Sequence, residues 1–222
     1  MKRRPWRYLF LGCFFLLGGT VAAATGGEEG RSPEDHGQVK ARVFKAVAAQ
    51  AETWTTLSSD FTQERHLQML KKPVVSSGRF FFEKPDRLYW EVLKPKAMGF
   101  SVQGEKARRW TEDPQKAETL PTEKDPMIRS LTEQIFFWSR ADFKALEKKY
   151  EIQVQDDTPA TLNLIPLTNP ENRFVSHLKI TFSSDWRHVR SVEIHERGGD
   201  FTRLLFFNTR LNPSLPEGLW GK

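Results

Sequence analysis

The 222 residues contain one cysteine, Cys13, and it falls within the first 24 positions. Cleavage after Ala24 leaves no thiol, which excludes a disulfide framework and cysteine catalysis. Histidine is also scarce: His36, His66, His177, His188 and His195 show no H-E-x-x-H spacing and read as solvated surface groups rather than metal ligands. There is no G-x-S-x-G elbow, no Walker A loop and no G-x-G-x-x-G turn. Carboxylate pairs such as Glu193 and Glu196 stand where a solvated strand face is expected. The sequence therefore implies no enzyme, no cofactor and no metal. An excess of charge is lacking too. Four of the 34 Lys and Arg lie in residues 1–24, which hold no Asp or Glu, and the remaining 30 face 28 acidic residues, a net of +2. Arg79-Phe80-Phe81-Phe82 and Arg108-Arg109-Trp110 mix cations with aromatics, but a near-neutral domain argues against nucleic acid, and these stretches read as strands with core aromatics and outward charges.

Long apolar runs are absent after Leu17. The N-terminal run, Tyr8 to Leu17, is shorter than the roughly 20 residues a membrane helix needs. It follows Lys2, Arg3, Arg4 and Arg7 and precedes Ala22-Ala23-Ala24, the order of a cleaved secretory signal. Leu11-Gly12-Cys13 partly matches a lipid-anchor site, yet apolar residues continue beyond the cysteine, so cleavage after Ala24 is expected. Residues 1–24 are thus a signal peptide, 25–37 a flexible leader rich in Gly and Glu, and 38–222 one domain.

What is present is aromatic residues, 17 Phe and 7 Trp, set in two kinds of period. From Gln38 to about Leu57, Val39, Val43, Val47, Ala51 and Trp54 recur at helical spacing. The period then becomes two. Strands are expected from Asp60, over Ser77–Glu83, Arg87–Leu93, Met98–Gln103 and Ala107–Glu112, with turn residues between them. Leu88, Trp90 and Val92 alternate with Arg87, Tyr89 and Glu91, one apolar and one polar face. Asp113 to Pro126 reads as a charged loop, and Met127 to Arg140 as a helix with Ile128, Leu131, Ile135 and Trp138 on one face. Strands return at Tyr150–Gln155, Thr161–Leu167, Phe174–Phe182, His188–Glu196 and Asp200–Leu211. The fold class is α+β, mainly β: one large antiparallel sheet that curls, with helices against one face. Periodicity alone leaves open whether Phe80, Phe82, Trp90, Phe100 and Trp110 fill a core or line a cavity.

Phe61-Thr62-Gln63, then Ser77-Gly78-Arg79-Phe80-Phe81-Phe82-Glu83-Lys84-Pro85-Asp86-Arg87-Leu88-Tyr89-Trp90-Glu91 and Lys94-Pro95, resemble the periplasmic outer-membrane lipoprotein carrier family, the LolA-like proteins. Leu164-Ile165-Pro166, Phe182, Gly198-Gly199 and Asn212-Pro213 keep the family's order, so the resemblance runs over about residues 38 to 215. It implies an unclosed β half-barrel under a helical lid. It also implies a monomeric periplasmic carrier that takes acylated lipoprotein from an inner-membrane transporter to an outer-membrane acceptor. The alternatives are carriage of another lipid or glycolipid for a different exporter, or lipid sensing. On this resemblance Phe80, Phe82, Leu88, Trp90, Val92, Phe100 and Trp110 are expected on the cavity wall. Lys84 stands where the family has a lid-holding arginine; lysine keeps the charge but loses the planar fork. Helix 38–57 and segment 113–140 are expected to form the cover.

Overall fold

A computed structural model describes residues 33–167 and 174–220. The expected signal peptide and most of the expected leader lie outside the described residues. Helix α1 spans Pro33–Ala51, so it begins before Gln38 and stops six residues short of Leu57. The reason is Trp54 and Leu57: both are buried, but Leu57 already belongs to strand β1, Thr56–His66, where burial alternates residue by residue. An apolar spacing that happened to continue across a turn was not one helix.

The remaining strands are β2 (Val74–Glu83), β3 (Arg87–Lys94), β4 (Met98–Gln103), β5 (Lys106–Thr111), β6 (Glu118–Pro121), β7 (Tyr150–Asp157), β8 (Ala160–Pro166), β9 (Val175–Phe182), β10 (Val189–Glu196) and β11 (Phe201–Leu211). Helices α2 (Pro126–Arg140) and α3 (Phe143–Glu147) stand between β6 and β7. Strand β6 interrupts the segment expected to be loop; it pairs with β5 at the sheet edge, so that part of the segment does not cover the sheet. No described helix is long and apolar enough to cross a membrane.

The eleven strands of the described residues form one antiparallel sheet in the order β6-β5-β4-β3-β2-β1-β11-β10-β9-β8-β7. Short hairpins build the two halves, as turn chemistry dictates. The long-range event is the β1–β11 pairing, Phe61 opposite Phe206 and Gln63 opposite Leu204. The edge strands β6 and β7 are not neighbours, so the barrel stays open. The sheet curls strongly. Strands β3 and β11 are three places apart, roughly 14 Å if flat, yet the rings of Trp90 and Phe206 are 6.3 Å apart.

The concave face carries the core. Leu57, Phe61, Phe82, Trp90, Phe100, Ile180 and Leu204 share one buried cluster with Val43 and Val47 of α1 and Ile128 of α2. Leu131 and Trp138, expected beside Ile128 on α2, have side chains outside the described set. Helix α1 is tied at its outer side by Lys40 to Glu147 at 2.6 Å and by an ion pair of Arg42 with Asp157. Phe44 stacks on Phe143 of α3, ring centroids 3.9 Å apart.

Strand β3 departs from the expected two-faced pattern. Tyr89 and Glu91 are buried as well as Leu88, Trp90 and Val92. On the convex face Tyr89 packs against Trp110 and Phe81, with centroids 5.1 and 5.9 Å apart. Arg79 bonds Glu91 at 2.9 Å. Burial, with Glu91 adding to it, pushes the Tyr89 phenol up to about 12.

Candidate functional site: an apolar cavity under the first helix

A cavity of about 90 Å³ lies between the concave face and the helices. Val47 and Ala51 of α1 and Ile135 of α2 form its roof. The floor comes from both halves of the sheet: Leu57, Phe80, Phe82 and Trp90 on one side, Phe182, Val192, Ile194, Leu204 and Phe206 on the other. Register explains why these side chains meet. Phe82 lies opposite Leu57, Phe80 opposite Ser59 and Trp90 opposite Phe80, so one alternation runs through three strands. That resolves the three-phenylalanine run: Phe80 and Phe82 point in, and Phe81 points out. Gly78 sits opposite Phe61, and a Cβ there would fall 2.7 Å from the Phe61 ring and 2.0 Å from the Glu91 carbonyl oxygen. Glycine lets the Phe61 ring lie flat on β2, with Trp90 stacked 4.2 Å beyond it.

Of the residues expected on the wall, Phe80, Phe82 and Trp90 line the cavity. Leu88, Val92 and Phe100 share that face but are packed solid in the core, at most 1% exposed. Trp110 is on the other face of the sheet. Phe100 pairs with Arg109 and Gly99 with Trp110, so Trp110 shares the face of Tyr89, and its ring occupies the space where a Gly99 side chain would be. The inward position beside it belongs to Arg109, which bonds Asp125 at 2.9 Å and Glu118 at 2.8 Å. The signal was present: Gln103 pairs with Lys106 across a two-residue turn, and counting back from it assigns Trp110 to the outside.

The half of the wall supplied by β9 to β11 was not singled out from sequence, because its strands are apolar at the same period as any covered sheet. The turn between β9 and β10 was missed for another reason. Trp186, Arg187 and His188 also line the cavity, and His188 is half-buried rather than solvated. The turn is held by Ser183 N–H donating to the His188 carbonyl at 2.8 Å and Trp186 N–H to the Ser183 carbonyl at 2.9 Å. Trp186 sits at φ 61°, a left-handed conformation that costs a bulky residue roughly 1–3 kcal/mol. Burial lowers the His188 pKa below the ordinary imidazole value; Asp185 opposes this and Arg187 adds to it.

Lys84 closes the same end. Its ammonium donates to the carbonyl of Ala51, the last residue of α1, and lies 4.2 Å from the Trp54 ring centre. A helix C-terminus presents unpaired carbonyls and a negative partial charge, so a cation there is favourable. Burial nevertheless lowers the Lys84 pKa, with Glu52 opposing and Arg140 adding. Arg140, the last residue of α2, donates to the Pro85 carbonyl. Two cations therefore each hold one carbonyl where a planar fork could have held two. The Trp54 indole N–H completes the closure by donating to the Arg187 carbonyl at 3.0 Å.

A second depression, about 420 Å³, lies at the β1–β11 bulge. Its lining of Ser58, Asp60, Arg79, Asn208 and Arg210 is polar and unsuited to hydrocarbon. Among the described residues, no group of three or more His, Cys, Asp or Glu is placed to hold a metal ion.

Residues 52–220 match the family model described as outer membrane lipoprotein carrier protein LolA. The chain is similar to the outer-membrane lipoprotein carrier protein of Dechloromonas aromatica (strain RCB), 23% identical over 161 residues, 72% of this chain and 74% of that one. Among solved structures it is similar to a LolA superfamily protein from Nitrosomonas europaea, with TM-score 0.42, 8% identity and coverage of 80% and 97% of the two chains. It is similar also to a chain of the Pseudomonas aeruginosa MucA/MucB complex, with TM-score 0.48, 11% identity and coverage of 82% and 61%. LprF from Mycobacterium bovis gives 0.44, 10%, 82% and 97%.

Proposed function

The chain belongs to the LolA family of outer membrane lipoprotein carrier proteins, and on that premise we propose that it is a monomeric periplasmic carrier for the acyl chains of lipoproteins. It receives them from an inner-membrane transporter and delivers them to an outer-membrane acceptor. The observation that carries this reading is the apolar cavity roofed by α1 and α2 and pinned at one end by Lys84.

Magnitudes decide how it works. The cavity, about 90 Å³, is far below the roughly 300–1,000 Å³ of ordinary ligand pockets. An acyl chain enters only if the roof lifts. A chain of 16 carbons left in water forfeits about 12 kcal/mol, at roughly 0.8 kcal/mol per methylene. The closing hydrogen bonds, from Lys84, Arg140 and Trp54, each contribute roughly 0.5–3 kcal/mol. One buried chain therefore outweighs these three bonds, while the closed form still hides Phe82, Trp90 and Val192 when no cargo is bound. Phe80, Phe82 and Trp90 act as binding residues and Lys84 controls the roof.

Mass spectrometry of the mature protein, prepared from periplasm without detergent, tests this. A bound triacylated lipoprotein is expected. A protein that carries nothing and takes up no acylated ligand in vitro is not a carrier.

A further inference from the structure

The cavity wall is mostly apolar, with Thr209 on its floor and charge-bearing side chains gathered at one end. There, the turn before β10 contributes Arg187 and His188, and among the described residues neither the Arg187 Nε nor the His188 Nδ1 has a hydrogen-bond partner, although both atoms are shielded from solvent. A buried donor without a partner forfeits its hydration and gains nothing in return, and the cost is greater for a charged group. Arginine remains charged, so the guanidinium cannot lower that cost by losing a proton. An unpartnered guanidinium N–H beside an unpartnered imidazole nitrogen that donates in one tautomer, at the wall of one cavity, is what a ligand's oxygen atoms would satisfy.

The surroundings specify the kind of oxygen. Trp54 links this turn to the Lys84 closure: Lys84 lies over its ring and the Arg187 carbonyl accepts from its N–H. Arg140 is close enough to add to the lowering of the Lys84 pKa. The cavity end is thus cationic on both sides of Trp54. Two carboxylates lie near: Glu52, which offsets part of the charge around Lys84, and Asp185, which is already engaged by the Ser183 hydroxyl and the Arg187 backbone N–H at 3.3 Å. The opposite end of the wall, at Trp90 and Phe206, is hydrocarbon apart from the Trp90 N–H.

We propose that the cavity also takes a free acyl chain that ends in an oxyanion, with the carboxylate or phosphate held by Arg187 and His188 and the hydrocarbon lying along Phe80, Trp90 and Phe206. This rests on the acyl-carrier reading and adds a second ligand class to it: a free anionic amphiphile besides a lipoprotein. A carboxylate accepts from Arg187 Nε and from His188 when Nδ1 bears the proton. The bonds are charge-assisted and sheltered. A neutral ester of the same chain offers a carbonyl but leaves the cationic end uncompensated.

The test is equilibrium binding of cis-parinaric acid and of its methyl ester, followed by fluorescence, on the wild-type mature protein. The acid is expected to bind about tenfold or more tightly than the ester, the range of one charge-assisted bond. Arg187→Met should abolish that preference, and Arg187→Lys should keep part of it. Displacement by palmitic acid against displacement by palmitoyl lysophosphatidic acid identifies which oxyanion fits. Equal binding of acid and ester by the wild-type protein overturns the proposal and leaves the carrier reading standing. Binding of neither also overturns the proposal, and the carrier reading then falls only if the mass spectrum shows no bound lipoprotein either. Because the first comparison uses the unaltered protein, a variant that folds poorly does not decide the matter.

Discussion

The Lys84 ammonium holds the Ala51 carbonyl, so a residue at the end of β2 caps the helix that roofs the cavity. Sequence separation between them is 33 residues, and the contact joins the sheet to its cover. Lys84→Ala removes it. We expect a loss of about 1–2 kcal/mol, in the range of a charged hydrogen bond partly open to water. Hydrogen exchange in α1 should quicken more than exchange in the central strands. Lys84→Arg should restore protection. Unchanged exchange in α1 of the alanine variant would show that Lys84 does not control the roof.

Filling the cavity should separate stability from binding. Val192 lines the floor; Val192→Phe places a ring in the space. The fold should tolerate it at a cost of about 1–3 kcal/mol, while uptake of an acylated peptide should fall by about tenfold or more. Titration of that peptide into wild type and variant, with melting temperatures alongside, reads both quantities.

Trp110→Ala should behave in the opposite way. The side chain is 4% exposed and packs on the convex face with Tyr89. Loss of about 3–5 kcal/mol is expected, as for large aromatic truncations in cores. Acyl affinity of the protein that remains folded should not change. Trp90→Ala, on the concave face, should weaken both. If Trp110→Ala selectively reduced affinity, the face given to Trp110 would be wrong.

Gly78 should accept no side chain. A Cβ would meet the Glu91 carbonyl oxygen at 2.0 Å and the Phe61 ring at 2.7 Å. Backbone cannot yield as a flexible side chain does, so Gly78→Ala should cost about 3 kcal/mol or more, at the severe end of point mutations. A urea denaturation midpoint near that of wild type would contradict it.

Acid should weaken the folded state partly through His188. Its folded pKa is lowered by burial, so the unfolded chain takes a proton more readily. The stability this supplies is present above the ordinary imidazole value of about 6.5. It is lost as pH falls through the lowered folded value. His177 is shifted the same way, by burial first and then by His195. Denaturation midpoints at pH 7.5 and pH 5 should therefore differ less in His188→Gln than in wild type. An identical difference in both proteins would remove His188 from the account.

Much of the sheet was readable as sequence. Strands β3, β4 and β11 lie within one or two residues of where alternation and turn residues put them, because each is bounded by Pro, Gly or Asp and has a half-buried period of two. The end of the first helix is not legible, since Trp54 and Leu57 continue its spacing. Strand β6 leaves no signal in the sequence, being four residues of edge with no buried side chain. The cavity wall was legible at Phe80, Phe82 and Trp90, which lie within the motif carrying the family resemblance. It was not legible at Arg187 and His188, where a cation and an imidazole in a turn look like any solvated pair.

Local order alone determined the alternation along each strand, the positions of most turns and, through the Phe61 to Pro95 stretch, the family. Only the tertiary structure decided which side of each strand is inside. A period of two specifies two faces and not which is covered; that sign comes from register across hairpins and from the β1–β11 pairing, between segments roughly 150 residues apart. The same pairing brings Phe206 within 5.3 Å of Phe80 and so makes one cavity from two halves of the sheet. Whether that space is filled or left open depends on how far the sheet curls and where α1 comes to rest. Both are balances of packing over the whole chain, and no short stretch of it records them.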